Sequence, residues 1–203
     1  MSIEVKISKR PIYYKFAMNF LHKRVEKVKA NKGRELLWIL EHPTSYTAGI
    51  RSKSTEVLDK KIKIINTNRG GKITLHNPGQ KIIYFVLNLN NRRKDIRKLI
   101  SIIEKSIIEF LLLYKINGKK DKKNIGIWVN KKKIAAIGLR ISKWIAYHGC
   151  SINISNNLDE YLKIAPCGLN NQKITSLYNE KGVAIKNIDK NLKKIFIKNI
   201  NKI

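Results

Sequence analysis

Cysteine is almost absent from this chain: there are two in 203 residues, Cys150 and Cys167. That is too few for a disulfide framework and points to free thiols in a reducing, cytoplasmic setting. There is no Cys-x-x-Cys pair and no two histidines at helical metal spacing, so no metal ion is expected. Long hydrophobic runs are missing too. The longest apolar window, Ile107 to Leu113, is too short to span a bilayer. No apolar stretch follows the charges of Met1 to Lys6, so no secretory signal is expected. The chain lacks a dinucleotide fingerprint, a phosphate-binding P-loop, internal repeats and a Pro/Gly-rich linker. Its length suits one domain, residues 1–203, with one sizeable core.

Acidic side chains are the other shortage: 14 Asp and Glu stand against 43 Lys and Arg, giving a net charge of +29. Lysine greatly outnumbers arginine, and isoleucine and asparagine are abundant. All three have AT-rich codons, so the excess reads mainly as compositional drift. Whatever its origin, the field speeds encounter with an acidic partner. Arginines and aromatics are not clustered as base stacking requires, so a nucleic acid is not the expected partner, nor is a membrane.

The apolar content of 43% is enough for a folded core. Helical spacing is read at Ile12 to Ala30, with Tyr13, Phe16, Ala17, Phe20, Leu21, Val25 and Val28 apolar. Arg93 to Ile116 reads the same way, with Ile96, Ile100, Ile103, Ile107, Phe110, Leu111 and Tyr114 on one face. The tail, Asn187 to Lys202, reads as a basic helix with Ile188, Leu192, Ile195 and Ile197 apolar. Strands are expected at Leu36 to Leu40, Ile62 to Asn66 and Lys81 to Leu89. A hairpin is expected from Ile125 to Asn130 and Lys133 to Ile141, then strands at Trp144 to Tyr147 and Ser151 to Ile154. Thr44 to Thr55 is expected to be loop, and Asn157 to Leu162 a helical turn. Hairpins mixed with long helices predict an α+β fold with a mixed or mostly antiparallel central sheet.

The densest punctuation falls at Arg69-Gly70-Gly71-Lys72-Ile73-Thr74-Leu75-His76-Asn77-Pro78-Gly79-Gln80. Two turn signals bracket a short apolar alternation, a pattern that suits a binding loop and a strand lining a pocket. Arginine adds a donor fork for carboxylate, phosphate or carbonyl. Cys167 stands in Ala165-Pro166-Cys167-Gly168, where a thiol either projects into a cleft as a nucleophile or packs as a small hydrophobe. Lys133 opens the small, apolar run Ile134-Ala135-Ala136-Ile137-Gly138. A lysine facing an apolar pocket loses hydration and its pKa falls, which suits a general base or a thiol-activating partner, whereas a lysine run at a turn is ordinarily solvated surface. His76 and His148 sit beside turns and suit a base, a ligand or a hydrogen-bonded structural role.

Several segments taken in order carry more than each does alone. They are His42-Pro43 with Tyr46-Thr47-Ala48-Gly49, then Arg69-Gly70-Gly71-x-x-Thr74-x-His76-x-Pro78-Gly79-Gln80, and Gly126-Ile127-Trp128-Val129. After these come Lys133-Ile134-Ala135-Ala136-Ile137-Gly138-Leu139-Arg140, Tyr147-His148-Gly149, Asn153, and Pro166-Cys167-Gly168-Leu169 with Ile174-Thr175-Ser176-Leu177. From His42 to Leu177 the chain resembles the lipoyl(octanoyl) transferase family of lipoate biosynthesis. The resemblance implies the fold of the biotin and lipoate protein ligase catalytic domains. It also implies a cytoplasmic enzyme that moves octanoyl from acyl carrier protein to a lysine of a lipoyl domain, on a 2-oxoacid dehydrogenase E2 subunit or the glycine cleavage H protein. No cofactor is implied beyond the carrier's phosphopantetheine arm. Cys167 matches the family's acyl-accepting cysteine and Lys133 its paired lysine. The substrate-lining segments match Arg69, Gly70, Gly71, Lys72, Ile73, Thr74, Leu75 and His76, then Ala136, Ile137 and Gly138, then Gly149, Cys150 and Ser151. Cys150 stands where the family commonly has an aromatic residue and Ser151 where it has alanine. The segment after Gly49 lacks a further glycine. The competing expectations are an ATP-dependent lipoate or biotin ligase of the same superfamily, and a basic nucleic-acid-binding protein.

Overall fold

The computed structural model describes residues 2–121, 124–165, 174–183 and 185–203. Its centre is a seven-stranded sheet in the order β1-β2-β6-β10-β9-β8-β7. These strands are β1 Ile3–Ile7, β2 Glu35–Leu40, β6 Gln80–Asn88, β7 Lys119–Lys120, β8 Ile127–Val129, β9 Lys132–Ser142 and β10 Ile145–Asn153. Only β1 and β2 run parallel; every other neighbouring pair in this sheet is antiparallel. A three-stranded sheet, β4-β3-β5, is built from β3 Ser45–Ala48, β4 Ile64–Asn66 and β5 Ile73–His76. Among the described residues there are four α-helices, α1 Tyr14–Lys29, α2 Ile96–Leu112, α3 Leu177–Lys181 and α4 Ile188–Ile200, and short 3-10 turns at Ser54–Glu56, Leu89–Asn91 and Asp159–Lys163.

The two-residue strand period explains the layers. Leu36, Trp38 and Leu40 of β2, with Ile82, Tyr84 and Val86 of β6, form one core with α1. Leu37 and Ile39, with Ile83, Phe85 and Leu87, form the opposite core with α2 and α4. β2 and β6 are therefore apolar on both faces and read as continuous hydrophobic runs. α2 buries Leu99, Ile103, Ile107, Phe110 and Leu111, and starts where the Asp95 side chain accepts from the Lys98 N–H at 2.9 Å. It stops short of the expected Ile116 because the chain turns at Lys115, φ 58°. Phe110 is fully buried between α2 and the sheet. Phe110→Ala should lower stability by about 3–5 kcal/mol, read as a fall in the urea midpoint at unchanged slope.

Three expectations are corrected. Thr44 to Thr55 is not all loop, because Ser45–Ala48 is the middle strand of the small sheet. Trp144 to Tyr147 and Ser151 to Ile154 are not separate strands but parts of continuous β10, bent at His148 with φ 66°. Tyr13 and Phe16 do not join the buried face of α1; they are 76% and 60% exposed, while Tyr14, Ala17, Met18 and Leu21 turn inward.

Candidate functional site

The site begins with what the sheet omits. In the β9–β10 register, Gly138 faces Gly149 and Ala136 faces Ser151. Four small residues leave low ground on the sheet. Gly149 is also needed for strand approach, since a Cβ there would lie 1.9 Å from the Ile83 carbonyl oxygen. The Arg69–Gly71 loop, between β4 and β5, crosses to this ground, and the Gly70 N–H donates to the Leu139 carbonyl at 3.1 Å. Between loop and sheet lies a cavity of about 340 Å³.

Fourteen of the sixteen residues assigned to the site from sequence line this cavity: Arg69, Gly70, Gly71, Lys72, Ile73, Thr74, His76, Lys133, Ala136, Ile137, Gly138, Gly149, Cys150 and Ser151. Leu75 does not line it; it is fully buried among Tyr46, Ile73, Tyr161 and Ile164. Cys167 lies outside the described residues. Arg51, Ile82, Tyr84 and Tyr161 line the cavity without having been singled out from sequence. Ile82 and Tyr84 belong to a strand apolar on both faces, so no alternation marks which side chains border a cavity.

Arg69 is buried and its fork turns to carbonyl and hydroxyl oxygens. Nη2 donates to Thr47 O at 2.7 Å and Thr47 Oγ1 at 2.8 Å, and Nη1 donates to Gly70 O at 3.1 Å. The guanidinium thus fastens the loop to β3. Glu56, also buried, fastens its other end: Oε2 accepts from the Ile73 N–H at 3.3 Å, and Oε1 pairs with Lys72 Nζ at 3.1 Å.

One wall is a buried amide network. His76 Nδ1 lies 2.7 Å from Gln80 Oε1, and Gln80 Nε2 donates to Asn153 Oδ1 at 2.9 Å and to Tyr161 Oη at 3.0 Å. Asn153 Nδ2 donates to Thr175 O at 3.0 Å. The Thr175 N–H in turn donates to Lys133 O at 3.0 Å, and Ile174 bridges Lys133 in parallel. At the other end, the Ala165 N–H donates to Glu56 O at 2.8 Å. The eight residues between Ala165 and Ile174 are those that carry Cys167.

All four histidines of the chain belong to one run of ring contacts. His22 meets Tyr147, Tyr147 stacks on His148 at 4.9 Å, His148 meets Tyr84 and Tyr84 meets His42; His42 then meets His76 at 5.6 Å, with Tyr14 against both. Burial disfavours the imidazolium form. It pulls His42 from 6.5 to about 4, opposed by the hydrogen bond to Ile12 O. It pulls His148 to about 3, helped by the Arg69 charge. His76 falls well below its ordinary value, for burial first and then the charges of His42 and Arg69. His76 and His148 are thus kept neutral, His76 against Gln80 Oε1 and His148 Nε2 2.8 Å from Asn68 Oδ1. Cys150 is buried, and burial alone pushes its thiol pKa up, so it remains protonated.

A sequence profile described as lipoyl protein ligase A/B catalytic domain matches residues 13–197. The chain belongs to this family. It is 42% identical to an octanoyltransferase of Wolbachia sp. subsp. Brugia malayi (strain TRS), over 97% of this chain and 98% of that one. It is 39% identical to an octanoyltransferase of Bartonella tribocorum, over 87% of this chain and 78% of that one. In structure it is similar to lipoate-protein ligase A bound with ATP, at TM-score 0.79 and 14% identity, covering 99% of this chain and 86% of the other. The fold is that of the lipoate-protein ligases. Among the described residues, no group of three or more His, Cys, Asp or Glu is placed to hold a metal ion, and no helix is long and apolar enough to cross a membrane.

Proposed function

We propose that this chain, acting as one catalytic domain in the cytoplasm, transfers an octanoyl group from acyl carrier protein to a lysine of a lipoyl domain through a thioester on Cys167. The acceptors are lipoyl domains of 2-oxoacid dehydrogenase E2 subunits or the glycine cleavage H protein, and no metal or nucleotide takes part. The chain is an acyltransferase by its relatives. The observation that carries the reading is the cavity: its lining includes aliphatic side chains, glycine backbone and Lys133, which pairs with Ile174, seven residues after Cys167.

The Cys167 thiolate attacks the thioester carbonyl, the bond to the carrier's sulfur breaks, and the carrier leaves as a thiol after taking a proton from the Lys133 ammonium, which becomes neutral. One thioester replaces another, so this step is close to neutral in energy. The acceptor lysine, as a neutral amine, then attacks the Cys167 thioester. An amide forms, the C–S bond breaks, and the proton from the amine is taken up by Lys133. In the resting enzyme the Lys133 ammonium stabilises the thiolate. Once the thiolate is acylated that charge is gone, and neutral Lys133 serves as the base. Ile73, Ile82, Ile134 and Ile137 give the acyl chain apolar surface, about 0.8 kcal/mol for each methylene buried.

Intact mass after mixing with octanoyl-acyl carrier protein, without ATP, tests this directly. One octanoyl adduct is expected, discharged when lipoyl domain is added. No adduct, with transfer appearing only when ATP and free octanoate are supplied, would move the chain to the adenylating ligases.

A further inference from the structure

The segment Gly126-Ile127-Trp128-Val129 has no part in the mechanism so far, yet it forms the surroundings of Lys133. In the β8–β9 pairing the register shifts between Ile127 and Trp128, which sets Trp128 directly opposite Lys133 while Ile127 faces Ala135. Directly opposed residues share a face of the sheet, so indole and lysine stem lie side by side. The Lys133 ammonium is 5.6 Å from the centre of the Trp128 ring, within cation–π range. The ring itself is fixed: Trp128 Nε1 donates to the Asn124 carbonyl at 3.1 Å. Gly126 completes the seat. Its φ is +140°, and a Cβ there would lie 2.6 Å from Lys133 Cε and 3.3 Å from Nζ, so the stem runs across bare backbone. Lys133, Asn124 and Ile125 border the cavity and Trp128 is not among the lining residues. The indole therefore supports the lysine without competing for the acyl chain.

We infer that Trp128 is a positioning residue for Lys133: with Gly126 it forms a seat that holds the lysine's ammonium at the cavity edge. This rests on the mechanistic role of Lys133 proposed above. A freely rotating lysine samples many rotamers, and a displacement of about 1 Å at a reacting group can cost about 10²-fold in rate. The seat removes that freedom.

The test compares full-length wild type, Trp128→Leu, Trp128→Tyr, Lys133→Ala and the Trp128→Leu/Lys133→Ala double variant. Acyl-enzyme formation is followed in single turnover by intact mass, and kcat and KM for lipoyl domain are measured at steady state. Trp128→Leu should slow acylation and kcat roughly tenfold, the scale of one half-buried cation–π contact, with KM within about twofold. Trp128→Tyr, which keeps an aromatic face, should recover most of the rate. On the Lys133→Ala background, Trp128→Leu should add less than about twofold, because the group it positions is gone. The same fold-loss on both backgrounds, or a tyrosine no better than leucine, overturns the inference. Near-normal activity of Lys133→Ala removes the mechanistic role and the inference together. A collapsed Lys133→Ala beside an undiminished Trp128→Leu removes the inference alone. If melting curves show Trp128→Leu unfolded, Trp128→Met, which also lacks a ring face but fills more of the volume, takes its place in the cycle.

Discussion

Cys167→Ser should lose at least about 10³-fold in octanoyl transfer and show no thioester adduct, because a serine hydroxyl near neutral pH is a far weaker nucleophile than a thiolate. Lys133→Ala should lose about 10²–10⁴-fold, the usual worth of a positioned proton-transfer group. The two losses differ in kind. In the proposed mechanism there is no first half-reaction to observe without Cys167, and without Lys133 both halves should slow, since there one group serves the thiolate first and the amine afterwards. Lys133→Arg separates these services. A guanidinium keeps the positive charge but does not deprotonate in a protein. The arginine variant should therefore acylate faster than the alanine variant and then stall as octanoyl-enzyme when lipoyl domain is added. Intact mass over time reads all three variants. Turnover by Lys133→Arg at the wild-type rate would show that Lys133 never acts as a base. Normal acylation of Cys167→Ser, or normal turnover by Lys133→Ala, would remove that residue from the mechanism.

How far the sequence foretold this arrangement depended on whether the cause was local. β2 and β6 are runs of Leu, Ile, Val and aromatics with no breaker, and any buried strand reads that way. α2 carries its own cap at Asp95 and a sustained apolar face. β3 was hidden because it is only four residues long, Ser45–Ala48, and only Tyr46 and Thr47 of them favour a strand. Parallel β4 on one side and antiparallel β5 on the other make it a strand, and both partners are distant in sequence. The face of α1 was misread at its start because apolar residues surround its first two turns, and contact with β6 and β10 decides which are covered. At the site, the family resemblance named the glycines at 70, 138 and 149, although nothing local says that 138 and 149 face each other. Leu75 shares a strand with cavity residues yet points into the small core, a distinction set by Tyr161 and Ile164 from nearly ninety residues on. The histidines were ambiguous for the same reason. Their ring partners, Tyr14, Tyr84 and Tyr147, come from three separate elements.

Those histidines dictate how the protein responds to acid. His42, His76 and His148 are neutral in the folded state, with His42 lowered to about 4 and His148 to about 3. In the unfolded chain each returns to about 6.5. Above that pH neither state binds the proton, and these groups add no pH dependence. Below it the unfolded chain takes up protons that the folded chain refuses, so stability falls as pH falls, and the fall continues toward the folded-state values. Each fully mismatched group contributes about 1.4 kcal/mol per pH unit, so three together give a slope of about 4 kcal/mol per unit. Two such units remove about 8 kcal/mol, set against the roughly 5–15 kcal/mol of an ordinary domain. The protein should therefore lose several kcal/mol of stability between about pH 6.5 and pH 5, above the range where its carboxylates begin to protonate. Urea midpoints at pH 7.5, 6.5, 5.5 and 5.0 measure this, and a flat series would refute it. His42→Gln offers the sharper comparison. It removes the imidazole held between Ile12 O and the Tyr84 hydroxyl, so it should be less stable than wild type at pH 7.5, yet its stability should fall about one-third less steeply with acid. His76, His148 and Tyr84 also line the cavity, so acid attacks the ground beneath the site itself. Activity lost below pH 6 should return on neutralisation and follow the unfolded fraction, and a loss of turnover that precedes unfolding would instead report titration of the reacting pair.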